Sequence, residues 1–235
     1  MTIEVKTRCA LSFSAQTAEG AKQFEFSTRH LVVAGWVGRD REALEAHIRE
    51  LELLGVARPT STPVFYRVAA SLLTQEPDVQ VVGRDASGEA EVVLFRQGGE
   101  DWVTIGSDHT DRKAETVGVT LSKQMCAKPL AGTAWRLAEV REHWDELVLR
   151  SWIETDGERV LYQEGSVSSM LRPWELLSMY EAVVTPVEDV VMFCGTLPVH
   201  GAIRWSSEFV AELEDPVLGR KMSFAYRLES LPVAG

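Results

Sequence analysis

The chain has 235 residues, 35 of them Asp or Glu and 24 Lys or Arg, for a net charge of −11. That balance argues against a nucleic-acid partner, which needs a basic stripe to meet phosphates. Hydrophobic residues at 45% and charged ones at 25% are ordinary usage for a soluble protein with a sizeable core. No uninterrupted apolar run approaches bilayer length, so no membrane partner is expected. The opening residues lack a basic stretch followed by an apolar one, and Cys9, Cys126 and Cys194 are odd in number and far apart. A cytoplasmic protein without a disulfide framework or zinc knuckle is the expectation.

Residues 2–14 and 23–27 alternate apolar with polar on either side of Thr17-Ala-Glu-Gly20, the pattern of a small hairpin. His30 to Trp36 reads as a buried strand. Asp40 is placed to cap a helix over 41–54, with Leu44, Ile48, Leu51 and Leu54 on one face and Gly55 at its end. Pro59-Thr-Ser-Thr-Pro63 predicts an extended crossing loop. From residue 79 short strands with turn signals dominate, at 79–82, 90–95, 102–105, 147–154, 159–162, 190–194 and 223–228. Helical stretches interrupt them at 137–144 and 173–180, the second with Pro in its first turn, and Asp156-Gly157 suits a turn between strands. The sum is an α+β roll of mixed, mainly antiparallel sheet with few short helices. It divides into an N-terminal hairpin extension at 1–30 and one compact unit at 31–235.

Glu89 and Glu91 stand at i and i+2 ahead of the apolar run Val92 to Phe95, so in a strand they share a face. Two carboxylates so close repel, and burying them is costly unless a cation or a proton intervenes. Asp108 follows 17 residues after Glu91, just past the strand-like Trp102 to Ile105, and would complete an all-oxygen set. Oxygen ligands favour Mg²⁺ or Mn²⁺ over zinc. The plain alternative is a solvated strand edge, because Gly88 marks a nearby turn. His47 and Glu50 lie on one face of the expected helix. There the carboxylate can orient the imidazole and raise its basicity, or the two can be an ordinary charged pair beside Glu45 and Arg49.

Taken in order, these segments resemble the fumarylacetoacetate hydrolase superfamily over residues 31–231. Gly35-Trp36, leading after an insertion to His47-Ile-Arg-Glu50, resembles its Gly-x-Asn-Tyr-x-x-His-x-x-Glu segment. Pro63-Val-Phe65-Tyr66 is similar to its Pro-x-x-Phe, and Glu89 with Glu91 to its Glu-x-Glu metal pair. Ser107-Asp108-His-Thr-Asp-Arg112 resembles its Asn-Asp-x-Ser-Ala-Arg-Asp. Asp156-Gly157 leading to Gln163, and Asp189 through Gly195-Thr196-Leu-Pro198, resemble its Asn-Gly-x-x-x-Gln and Gly-Asp-x-Ile-x-x-Gly-Thr-Pro segments. The Asn and Tyr before the histidine are missing and Leu197 splits Gly-Thr-Pro, departures that bear on the substrate more than on fold or metal.

The resemblance implies a fumarylacetoacetase C-terminal-like roll carrying Mg²⁺ or Mn²⁺, with Ca²⁺ as a substitute in a crystal. Glu89, Glu91 and Asp108 would be the metal ligands, and His47 with Glu50 the dyad that activates water. Lys123, with Lys128 as its rival, would donate to a substrate oxygen. Gln163, Thr196 and Tyr66 would contact substrate, and Arg112 would hold Asp108 or Asp111 in place. His109 has no assigned role, and His200 would border the pocket. The partners implied are a small carboxylate substrate and a second copy of the chain, as a homodimer. The activity implied is hydrolytic C–C cleavage of a 2-oxo acid or 1,3-dicarbonyl (acylpyruvate-like) compound through an enolate. The alternatives are a lyase or isomerase at the same site (decarboxylase, sugar-acid dehydratase or tautomerase) and a non-catalytic protein that binds a small acid.

Overall fold

The computed structural model describes residues 8–17, 20–53, 58–184 and 189–234, apart from the side chains of Gln16, His47, Glu50 and Leu51. The chain opens with β1 (Cys9–Thr17) and β2 (Gly20–Thr28), an antiparallel pair with Phe13 opposite Phe24, followed by β3 (His30–Gly35). Helix α1 (Arg41–Leu53) starts where Asp40 Oδ1 accepts the backbone N–H groups of Glu42 at 2.9 Å and Ala43 at 3.0 Å, satisfying donors that a helix start leaves open. The expected end of this helix at Leu54 and Gly55 lies outside the described residues.

Then come β4 (Val64–Val68), β5 (Leu73–Thr74), β6 (Asp78–Val82), β7 (Ala86–Ser87), β8 (Ala90–Gln97), β9 (Glu100–Ser107) and β10 (Thr110–Asp111). Two short helices follow, α2 (Arg112–Glu115) and α3 (Val119–Met125), and then β11 (Lys128–Pro129) and β12 (Thr133–Arg136). The helix expected at 137–144 is a single turn, α4 (Leu137–Val140), with a separate 3₁₀ turn at Trp144–Glu146. The chain closes with β13 (Val148–Thr155), β14 (Glu158–Ser166), α5 (Pro173–Glu181), β15 (Val190–Thr196), β16 (Glu208–Asp215) and β17 (Arg220–Leu231).

Eight strands form one sheet in the order β2-β1-β12-β9-β8-β15-β3-β4, and five form a second in the order β14-β13-β16-β17-β6. Pairs are antiparallel except β1 with β12, β3 with β15, β5 with β11 and β6 with β17. Strand β8 explains why its sequence is a solid apolar run. Val92 and Leu94 enter a core shared with Leu149, Phe209 and Leu213 of the second sheet, while Val93 and Phe95 enter a core on the opposite face with Phe13, Phe26 and Trp102. A strand buried on both faces has no polar side to show. Each of its large apolar side chains contributes about 1.5–3 kcal/mol by leaving water. No helix among the described residues is long and apolar enough to cross a membrane.

Candidate metal and substrate site

Strands β8 and β9 pair antiparallel with Ala90 opposite Ser107 and Glu91 opposite Gly106. Residues just before β8 and just after β9 are therefore neighbours, and the Asp108 N–H donates to the Glu89 carbonyl at 2.9 Å. Carboxylate oxygens of Glu89, Glu91 and Asp108 lie within 4.8 Å of one another. Glu91 and Asp108 are buried and Glu89 is half-buried.

The acids differ in their counter-groups, with Lys123 shared between Asp108 and, at 4.0 Å, Glu89. Asp108 contacts the Lys123 ammonium through Oδ2 and lies 3.2 Å from Lys128 Nζ through Oδ1. Burial alone would raise its carboxyl, but Lys123 and Lys128 outweigh that and hold it below the usual carboxylate value. Lys128 is buried, also donates to the His109 carbonyl at 2.6 Å, and is pushed down by desolvation. Burial pulls Lys123 down too, yet Asp108, Glu89 and Glu91 around it drive it above its ordinary value. Glu89 pairs with Arg112 at 3.0 Å. Glu91 accepts the Gly195 N–H at 2.8 Å and has no cation in direct contact among the described residues. Burial, then the charge of Asp108, push its carboxyl well above the normal range.

Three converging carboxylates, one of them buried with no cation in contact among the described residues, fit a hard divalent ion. Gly195 is needed at this point for two reasons. Its φ is +93°, a left-handed conformation, and an added Cβ would stand 2.1 Å from a methyl of Val37.

In front of the acids is a cavity of about 530 Å³, bounded on that side by Glu89, Glu91, Lys123 and Thr196. Tyr66 and Trp36 also line it. Lys123 Nζ is 5.9 Å from the centre of the Tyr66 ring, and burial raises the Tyr66 phenol. Trp36 adopts φ 59°, a left-handed conformation that costs a bulky residue about 1–3 kcal/mol and is found mostly at functional positions.

Of the residues singled out from the sequence, Glu89, Glu91, Lys123, Thr196 and Tyr66 line this cavity, and Asp108 stands fully buried beside Glu89 and Glu91. Gln163 does not line it. It is buried, and its amide is saturated: Oε1 accepts from Ala90 N–H (3.0 Å) and Ser151 Oγ (2.7 Å), while Nε2 donates to Thr196 Oγ1 (2.8 Å) and the Leu197 carbonyl (2.6 Å). Thr196 in turn donates to the Ala90 carbonyl at 2.8 Å. Gln163 thus ties β8 to the end of β15 and leaves no amide atom for substrate.

Arg112 was expected to hold Asp108 or Asp111. Its guanidinium instead joins Glu89, Glu115 at 3.0 Å and Ser87 Oγ at 2.7 Å, because α2 carries it round to the Glu89 side while the Asp111 carboxylate caps that helix by accepting Ala114 N–H at 2.8 Å. Between the two rival lysines, Lys123 lines the cavity and Lys128 sits behind Asp108. His47 and Glu50 are on α1, and their side chains lie outside the described residues. His109 is buried, with Nδ1 at 2.9 Å from the Tyr226 hydroxyl, and His200 is exposed. Sequence reasoning missed Glu115, Trp36, Leu44 and Met170 as lining residues. Only Glu115 left a local signal, its i,i+3 spacing from Arg112.

A model of the family described as protein of unknown function (DUF2848) matches residues 34–226. No curated protein matches the sequence. Among solved structures, Cg1458 with inhibitor is similar at 15% identity and a TM-score of 0.65, over 91% of this chain and 81% of that one. 2-Keto-3-deoxy-D-arabinonate dehydratase complexed with magnesium and 2,5-dioxopentanoate is 13% identical with a TM-score of 0.63, over 87% and 74%. 4-Oxalocrotonate decarboxylase from Pseudomonas putida G7, complexed with calcium and acetate, is 16% identical with a TM-score of 0.57, over 86% and 78%. At such identity the likeness is one of fold, the mixed, mainly antiparallel α+β roll expected from the sequence.

Proposed function

We propose that this chain, which belongs to the DUF2848 family, is a divalent-cation-dependent enzyme acting on a small carboxylate with a 2-oxo or 1,3-dicarbonyl group. The observation that carries this reading is the convergence of Glu89, Glu91 and the buried Asp108 within 4.8 Å, with Glu89 and Glu91 on the wall of a cavity that Lys123 also faces. Mg²⁺ or Mn²⁺ held by these carboxylates would supply positive charge for oxygen atoms on which negative charge develops. The protein's own groups do the rest. Lys123 offers a point cation to a substrate carboxylate or oxyanion. The Gly195 N–H and Arg112 fix Glu91 and Glu89 in place, and Lys128 anchors Asp108 from behind.

Two reactions share this arrangement. In the hydrolytic one, water adds to a carbonyl carbon, the adjoining C–C bond breaks, and its electron pair ends as a C–H bond on the departing carbon. His47 with Glu50 would take the proton from water. In the lyase reaction no water adds: either CO₂ leaves and the electron pair of its C–C bond ends as a C–H bond, or a C–H proton is removed and hydroxide departs from the next carbon, leaving a C=C bond. The lyase reading draws support from the structural likeness to a dehydratase and a decarboxylase.

The test is calorimetric titration of chelator-stripped protein with Mg²⁺ and Mn²⁺, with and without oxalate. Binding should be strengthened by oxalate and weakened at least about tenfold in Glu91→Gln. No cation binding under either condition sinks the enzymatic reading. Conversion of His47 to Asn then separates the two reactions, since only hydrolysis should be lost.

A further inference from the structure

We infer that the substrate carries an uncharged, apolar tail of several carbons, not a second carboxylate. This rests on the reading of the site as one for a 2-oxo acid. The ionic groups of the cavity are gathered towards β8, α2 and α3, at Glu89, Glu91, Glu115 and Lys123, with Arg112 joining Glu115 to Glu89. Val37, Leu44 and Met170 give the cavity apolar walls. Gly38, Ala43, Leu44 and Ser169 line this cavity and also a second one of about 550 Å³, so open space continues past α1, away from the acids. A substrate whose head reaches Lys123 therefore lays its far end against Leu44.

Among the described residues a negatively charged tail finds no uncommitted cation there. Arg39, the cation of the adjoining cavity, places its terminal nitrogens on Asp145 at 2.9 and 3.0 Å and donates through Nε to the Met170 carbonyl at 3.1 Å. Lys123 is the one cation lining the first cavity among the described residues, and it belongs to the head. An anionic tail would lose hydration without gaining a counter-charge. A methylene placed there gains about fourfold in affinity when fully buried.

The experiment is calorimetry on the full chain in Mg²⁺ with pyruvate, 2-oxohexanoate and 2-oxoadipate, which share one head group. The expected result is 2-oxohexanoate at least about tenfold tighter than pyruvate, with 2-oxoadipate no tighter than pyruvate. Leu44→Lys should reverse the order of the two longer acids by bringing an ammonium to the tail. Equal affinities for all three acids, or tighter binding of 2-oxoadipate to the unmodified protein, overturn the tail inference while leaving the head site standing. Failure of all three acids and of oxalate to bind removes the site reading itself, and the tail inference with it.

Discussion

Gln163 shows how a single side chain changes meaning once its partners are known. Its place after the Asp156-Gly157 turn suggested a substrate amide, yet all four of its hydrogen bonds are internal and join β14, β13, β8 and the end of β15. Replacing it with Leu would leave the Ala90 N–H and the Leu197 carbonyl without partners in a buried place. Each such orphan costs about 1–3 kcal/mol. Gln163→Leu should therefore lower stability by about 2–5 kcal/mol in urea unfolding. A variant with unchanged stability and a weakened affinity for 2-oxo acids would instead restore the substrate role. Lys123 and Lys128 carry the same lesson: both reach Asp108, but only one faces the cavity.

Among the elements, the β8–β9 hairpin decides whether there is a site at all. Its loop is two residues long, Gly98 and Gly99, between the paired Gln97 and Glu100. Both glycines have positive φ, +61° and +80°, as the tight turn that matches strand twist requires. A one-residue slip of this hairpin would turn Glu91 to the other face and separate it from Asp108. Ala at both positions should cost about 1–2 kcal/mol each, because a Cβ is unfavourable in that conformation. Urea unfolding of the double variant should show that loss. The cation affinity of the folded protein should stay unchanged, since neither residue touches the acids. Its two strands were legible as the apolar runs at 90–95 and 102–105, whereas the glycine pair that joins them was not read as a turn. Strand β16 was missed although its burial alternates, with Phe209, Ala211 and Leu213 inside, because Glu208, Glu212 and Glu214 dominate its composition.

At the scale of the molecule, His30 links three elements across the edge of the large sheet. Its Nε2 is 2.5 Å from the Tyr180 hydroxyl of α5 and 2.6 Å from a guanidinium nitrogen of Arg67 on β4. Burial, and then the Arg67 charge, hold its pKa down at about 4. An unfolded histidine titrates near 6.5. A folded pKa below the unfolded one means that His30's contribution is complete above about pH 6.5 and is lost as pH falls towards 4. Stability should decline through that window, and decline less in His30→Gln. Urea unfolding at several pH values checks this, and comparing variant with parent cancels the common effect of the −11 net charge. An equal decline in both would show that the histidine is not the titrating group.

What the sequence determined by itself is local or ordered along the chain. The i,i+2 spacing brings Glu89, just before β8, and Glu91, within it, close together, Asp40 caps α1, apolar runs mark the strands, and the succession of motifs points to a roll of this class. Those properties depend on backbone geometry within a few residues and on the order of segments. Tertiary structure alone decided which lysine faces the cavity, that Arg112 holds Glu89, that Gln163 is saturated, and that Leu44 and Met170 border the site. Each depends on a contact between residues far apart in the chain, set by strand register and by how the two sheets and α1 close on one another, and no local periodicity encodes that.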